Sequence, residues 1–119
     1  MNYNKVLLAG HLTRDPELRQ TQSGSSVSGF GLAINRKYKK NNELVEDVCF
    51  IDITVWGKQA ESCAQYLKKG SGAFIEGYLR LNSWETDSGE KKNKIEVIAD
   101  TVQFLGAKEN TMPKSDIQF

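Results

Sequence analysis

A small, closed all-β barrel carrying one helix is the architecture that the hydropathy pattern predicts, and three observations point to it. Apolar and polar residues alternate over several stretches, as they do in half-buried strands. One stretch between the third and fourth of these follows the helical period instead. Glycines stand inside a strand pattern at Gly29 and Gly31, where a bend or close backbone approach is required, as at a barrel corner. The 119 residues fit one domain with one core and are too few for two. With 39% hydrophobic and 26% charged residues, the composition excludes a disordered or fibrous chain. A formal net charge of +1 excludes a polycation, so any nucleic-acid contact must come from locally clustered basic residues.

The elements follow in order. The run 4–12, NKVLLAGHL, predicts a buried strand, and its apolar residues point both ways, with Val6 and Leu8 on one face and Leu7 and Ala9 on the other. A small barrel buries only one of those faces, so the second asks for a partner. Residues 13–26 are polar, contain Pro16 and Gly24, and read as a loop. In strand 27–36, Phe30, Leu32 and Ile34 alternate with Gly29, Gly31 and Ala33. The charged segment 37–47 reads as irregular, with Asn41-Asn42 as a hairpin tip.

Strand 48–56 is the most informative. Cys49, Ile51, Ile53 and Val55 form a core face, whereas Val48, Phe50, Asp52, Thr54 and Trp56 mix aromatics with polar groups, which a core does not tolerate cheaply. Residues 58–69 predict a helix: Ala60, Cys63, Ala64 and Leu67 share one side, Glu61 opens it, Lys68-Lys69 closes it and Gly70 stops it. Strand 73–84 repeats the two-faced pattern, with Ala73, Ile75, Gly77, Leu79 and Leu81 opposite Phe74, Glu76, Tyr78, Arg80, Asn82 and Trp84. Asp87-Ser88-Gly89 marks a turn, and a last strand over about 94–105 turns Ile95, Val97 and Ala99 inward. Five strands with one α-helix between the third and fourth is the element order of a five-stranded OB-fold barrel. The domain is expected to span 1–106 and a short flexible C-terminal tail 107–119.

Several chemistries find no residues to perform them. Cys49, Cys63 and the single histidine, His11, do not form a zinc ligand set, and no metal site is predicted. Both cysteines read as small core residues, and free thiols point to a reducing cytoplasm. No carboxylate pair with an attached base, phosphate-cradling loop or Ser-His-Asp set is present, so the chain reads as a non-enzyme without cofactors. The N-terminus shows neither a secretory signal nor a membrane span.

The order and spacing of short motifs then carry a resemblance. Asn4-Lys5-Val6, Gly10-His11-Leu12, the run 15–19 (DPELR), Leu32-Ala33, Asn35-Arg36 and Phe50-Ile51 lead to the run 56–61 (WGKQAE). The runs 66–71 (YLKKGS) and 75–80 (IEGYLR), then Trp84 and 102–105 (VQFL), complete the set. Over residues 2–106 the chain resembles the bacterial-type single-stranded DNA-binding proteins (SSB family). That resemblance implies a homotetramer, a dimer of dimers, that coats and protects single-stranded DNA in replication, recombination and repair. It implies base stacking on Tyr38, Phe50, Trp56 and Trp84. The basic residues Arg36, Lys37, Lys39 and Lys40 surround the tyrosine, and the run Lys91-Lys92-Asn93-Lys94, with Lys92 as its chosen contact, follows the second hairpin tip; such clusters neutralise phosphates. Lys58, Lys69 and Arg80 match family positions bordering the groove. Asp52 departs from an all-cationic surface: a carboxylate beside phosphates is unfavourable, and the expectation is that it accepts hydrogen bonds from a base or from a neighbouring basic chain instead.

The expected location is the cytoplasm, in association with the nucleoid. The tail ends in Asp116, Ile117 and Phe119, an abbreviated form of the family's tip that docks replication and repair proteins. Two other readings use the same barrel. A primosome-type accessory module would bind protein or RNA through this face, and an OB-fold nuclease would need clustered metal-binding carboxylates.

Overall fold

The computed structural model describes residues 1–105, and the expected tail, with Asp116, Ile117 and Phe119, lies outside them. The strands are β1 (Val6–Leu12), β2 (Glu17–Gln20), β3 (Ser26–Lys40), β4 (Glu43–Trp56), β5 (Gly72–Glu85) and β6 (Lys91–Phe104), with α1 (Lys58–Tyr66) between β4 and β5. The sheet runs β1-β5-β6-β4-β3-β2, and a β1–β3 pairing at His11↔Ala33 and Leu12↔Leu32 closes it. The closed ring therefore has five strands, as expected. Residues 13–26, expected to be a loop, contain the short strand β2, which adds to the outer edge of β3 from Glu17↔Gly29 to Gln20↔Ser26. In chain order this places the helix after the fourth strand rather than the third.

Burial follows the predicted faces where the ring is closed. Phe30, Leu32, Ile53, Val55, Ile75 and Val97 are fully enclosed and pack with Leu12, Ala73 and Ala99. From α1, Ala60 and Cys63 join this core, as does Leu67 just beyond it. The helix ends at Tyr66, three residues earlier than its period suggests. Leu67 is extended, its N–H bonding the Cys63 carbonyl, and residues 68–71 turn the chain back to the barrel. The Lys68 N–H meets Ser71 Oγ at 3.1 Å, and the Gly70 N–H meets the Leu12 carbonyl at 2.8 Å. Lys68 and Lys69 thus satisfy a turn instead of capping the helix dipole.

The strands are longer than the sequence suggests. β3 and β4 pair without interruption from Val27↔Trp56 to Lys40↔Glu43, so the segment expected to be irregular is a regular ribbon. Its tip is Asn41-Asn42, both at positive φ, in a two-residue turn of the kind that matches the twist of the flanking strands. The β5–β6 hairpin extends similarly to Glu85↔Lys91 and carries a register shift at Glu76/Gly77. Beyond the ring these ribbons have no second layer to cover them. Cys49, Leu79, Leu81 and Ile95, expected inside, are consequently exposed, although they continue the core-facing rows.

Two side-chain amides fasten loose parts to the barrel. Asn4 bonds the Leu79 backbone in both directions, at 2.8 and 2.9 Å, and holds the segment before β1 along β5. Gln59 donates to the Asp100 carbonyl at 2.7 Å and accepts from the Val102 N–H at 2.9 Å, pinning α1 to β6. Lys5 forms an ion pair with Glu76, and the hydrogen bond to that carboxylate raises the Lys5 pKa above its ordinary value.

Candidate nucleic-acid interface

Period-two alternation puts Phe50, Asp52, Thr54 and Trp56 on the outer side of β4. On β5 the same rule groups Tyr78, Arg80, Asn82 and Trp84, which pair with Ile98, Glu96, Lys94 and Lys92 of β6. Two contacts show that both rows belong to one surface. Lys94 Nζ binds Asp52 Oδ2, and Thr54 Oγ1 donates to Glu96 Oε1 at 2.8 Å. The barrel therefore carries a continuous outer face from Trp56 through Phe50 to Trp84. On it Phe50 is 69% exposed, Trp56 43% and Trp84 45%, enough for a flat ligand to reach each ring.

Tyr38 is arranged differently. It lies within β3 and not in a loop, half-buried, with the Arg36 guanidinium 4.7 Å from its ring centroid in a cation–π contact. Its partner in register is Val45, whereas Phe50 pairs with Ala33, five residues earlier on β3. An odd separation along a strand reverses the face, so Tyr38, Arg36 and Lys40 point to one side of the ribbon and Lys37 and Lys39 to the side of Phe50. A ligand touching both sets must wrap the ribbon. Acidic residues stand directly across from these cations, in the pairs Arg36↔Asp47, Lys37↔Glu46 and Lys40↔Glu43. None of them closes to an ion pair among the described residues, where salt bridges involve only Lys5, Arg14 and Lys94.

The remaining basic positions are spread out. Arg80 and Lys92 share the face of Trp84. Lys58 opens α1, two residues past Trp56. Lys69 lies in the turn after α1, its backbone N–H bonded to Asp15 Oδ1 at 2.8 Å, and belongs to neither ribbon.

Sequence reasoning missed Arg14, and it placed Lys94 only within the basic run that follows the second hairpin tip. Both meet the carboxylate of Asp52, Arg14 Nη1 at 3.8 Å from Oδ1. With Thr13, Gly31 and Phe50 they line a depression of about 230 Å³. The available signal was Asp52 itself, an acid among aromatics that needed a basic neighbour. A second depression of about 470 Å³, between β2 and α1, contains none of the predicted site residues. Among the described residues no group of three or more His, Cys, Asp or Glu could hold a metal ion, and no helix is long and apolar enough to cross a membrane.

The profile of the Single-strand binding protein family matches residues 3–105. A single-stranded DNA-binding protein of Wolinella succinogenes is 49% identical over 107 residues, covering 89% of this chain and 66% of its own length. One from Helicobacter pylori is 41% identical over 117 residues, covering 98% of this chain and 65% of the relative. The chain thus spans about two thirds of the length of the curated relatives it matches. Among solved structures, the Plasmodium falciparum SSB in complex with ssDNA superposes with a TM-score of 0.81 at 26% identity, covering 89% of this chain and 97% of the other.

Proposed function

The chain belongs to the single-strand binding protein family, and from that membership and its exposed aromatic face we propose that it binds single-stranded DNA with little regard to sequence. The observation that carries this reading is the placement of Phe50, Trp56 and Trp84 on one continuous surface with their rings open to solvent. Unpaired bases expose π-faces that a duplex hides, and every base has one, so stacking gives affinity without sequence readout. Arg80 and Lys92 beside Trp84, and Lys37 and Lys39 beyond Phe50, neutralise the phosphates of the stacked strand. Tyr38, with Arg36 and Lys40, takes up bases on the reverse of the ribbon, while Lys58 and Lys69 extend the basic border.

The protein binds and does not catalyse. Because it takes the single strand and not the duplex, mass action alone opposes reannealing and hairpin formation. It coats and protects the strand during replication, recombination and repair, in the cytoplasm, in association with the nucleoid. It acts as a homotetramer, a reading supported by exposed Leu7, Leu79, Leu81 and Ile95. The tip Asp116, Ile117 and Phe119 docks replication and repair enzymes.

Titration of intrinsic fluorescence with oligo-dT of increasing length, at two salt concentrations, tests the central claim. Quenching that saturates, and that weakens as salt rises, is expected. No quenching and no binding at low salt would leave a protein- or RNA-binding module as the better account.

A further inference from the structure

We propose that Asp52 is an intramolecular competitor for phosphate: it holds Arg14 and Lys94 in the free protein, and a DNA strand gains those two cations only by displacing it. The inference rests on the DNA-binding function proposed above and concerns how strongly that site binds.

Asp52 lies between Phe50 and Trp56 on the outer side of β4, where a bound backbone would pass. Its two oxygens are engaged separately, Oδ1 by Arg14 and Oδ2 by Lys94. The arrangement is built into the barrel. Gly31 stands directly across from Asp52 in register, and a Cβ there would lie 2.8 Å from Arg14 Nη1. The missing side chain leaves room for Arg14 to cross β3 and reach the carboxylate. The Thr13 N–H, bonded to the Gly31 carbonyl at 2.9 Å, fixes the loop that delivers it. Lys94 is placed by its pairing with Asn82, two residues from Trp84 on the same face.

The cluster is nevertheless open to water. The side chains of Asp52, Arg14 and Lys94 keep 33%, 50% and 57% of their exposure. Ion pairs this accessible contribute little to folding, so the carboxylate can be surrendered without loosening the barrel. A polyanion gains more from the same cations, because each neutralised phosphate releases condensed counterions. The carboxylate thus subtracts from affinity and from its salt dependence while leaving the stacking surface intact.

The test compares oligo-dT affinity of the unmodified protein, Asp52→Asn, Lys94→Gln and the double variant across a salt series, with folding checked by circular dichroism. Asp52→Asn keeps the size of the side chain and removes its charge. It should bind several-fold more tightly at low salt, converge with the unmodified protein at high salt, and steepen the slope of log K against log salt by roughly 0.7 per phosphate gained. Lys94→Gln should cost little when Asp52 is present and several-fold more in the D52N background. Normal binding by the unmodified protein, with D52N equal to it or weaker, overturns the inference alone and makes Asp52 a positioning residue for its two cations. Failure of the unmodified protein to bind overturns the proposed function and this inference together.

Discussion

Trp56 and Trp84 are the two tryptophans of the chain, and each is a little under half exposed on the outer face. That leaves part of each residue open to a stacking base. Trp56→Ala and Trp84→Ala should each weaken oligo-dT binding by about 1–3 kcal/mol while leaving the fold intact. Equal affinity in both variants, with unchanged circular dichroism, would move the interface elsewhere. The cysteines behave oppositely. Cys63 is wholly enclosed, and burial pushes its thiol up from an ordinary value of 9.0 to about 11. The folded state thus favours the protonated form, and stability should fall as pH rises from about 9 towards 11, since the unfolded chain ionises first. Titration with an aromatic disulfide near pH 8 should find no more than one reactive thiol per native chain and two in denaturant. Two fast thiols in the native protein would contradict the burial of Cys63.

The β3–β4 ribbon extends the basic surface away from the barrel, and its alternation separates Lys37 and Lys39 from Lys40. Replacing all three by Ala should flatten the salt dependence of binding by at most about 2 in log–log slope, at roughly 0.7 per phosphate. Comparing the Lys37→Ala/Lys39→Ala pair with Lys40→Ala alone then tells which side of the ribbon the strand follows. An unchanged slope in the triple variant would mean that the ribbon is merely solvated. The β5–β6 hairpin depends on its register shift. At Gly77 a Cβ would run into the carbonyl oxygen of Ile98, a backbone atom that cannot swing aside. Gly77→Ala should therefore destabilise the fold by about 1–3 kcal/mol, the usual range for overpacking, as read by chemical denaturation. A midpoint unchanged from the unmodified protein would show that the hairpin relaxes freely.

Assembly follows from what one barrel leaves uncovered. β1 pairs with β5 from Val6 to His11, but with β3 only at His11 and Leu12, so much of its other edge has no strand beside it. Val6 and Leu8 pack against the core while Leu7 is 59% exposed. Leu79, Leu81 and Ile95 add apolar surface on the β5–β6 hairpin. A free edge flanked by apolar residues invites association. Sedimentation equilibrium at micromolar concentration should give a tetramer. A monomer would refute this reading, and a stable dimer would refute only the second interface.

Alternation along β4 was enough to separate Phe50 and Trp56 from Ile53 and Val55, and the helical spacing of Ala60, Cys63 and Leu67 was enough to place α1, because both depend on local periodicity. Element order then pointed to the barrel, and motif order to the family. Sequence could not say where the ring stops covering its own strands. Cys49, Leu79, Leu81 and Ile95 continue the inward rows, yet burial depends on whether a second layer lies above, which is set by how strands from distant parts of the chain close. Strand length was hidden for a related reason: residues 37–47 have weak strand preference of their own and are held by the last five of fourteen consecutive β3–β4 pairings. The parity of Tyr38 against Phe50 depends on that unbroken register. The meeting of Arg14, Asp52 and Lys94 needed the full tertiary structure, since it joins three segments far apart in the chain across a glycine whose missing side chain opens the way.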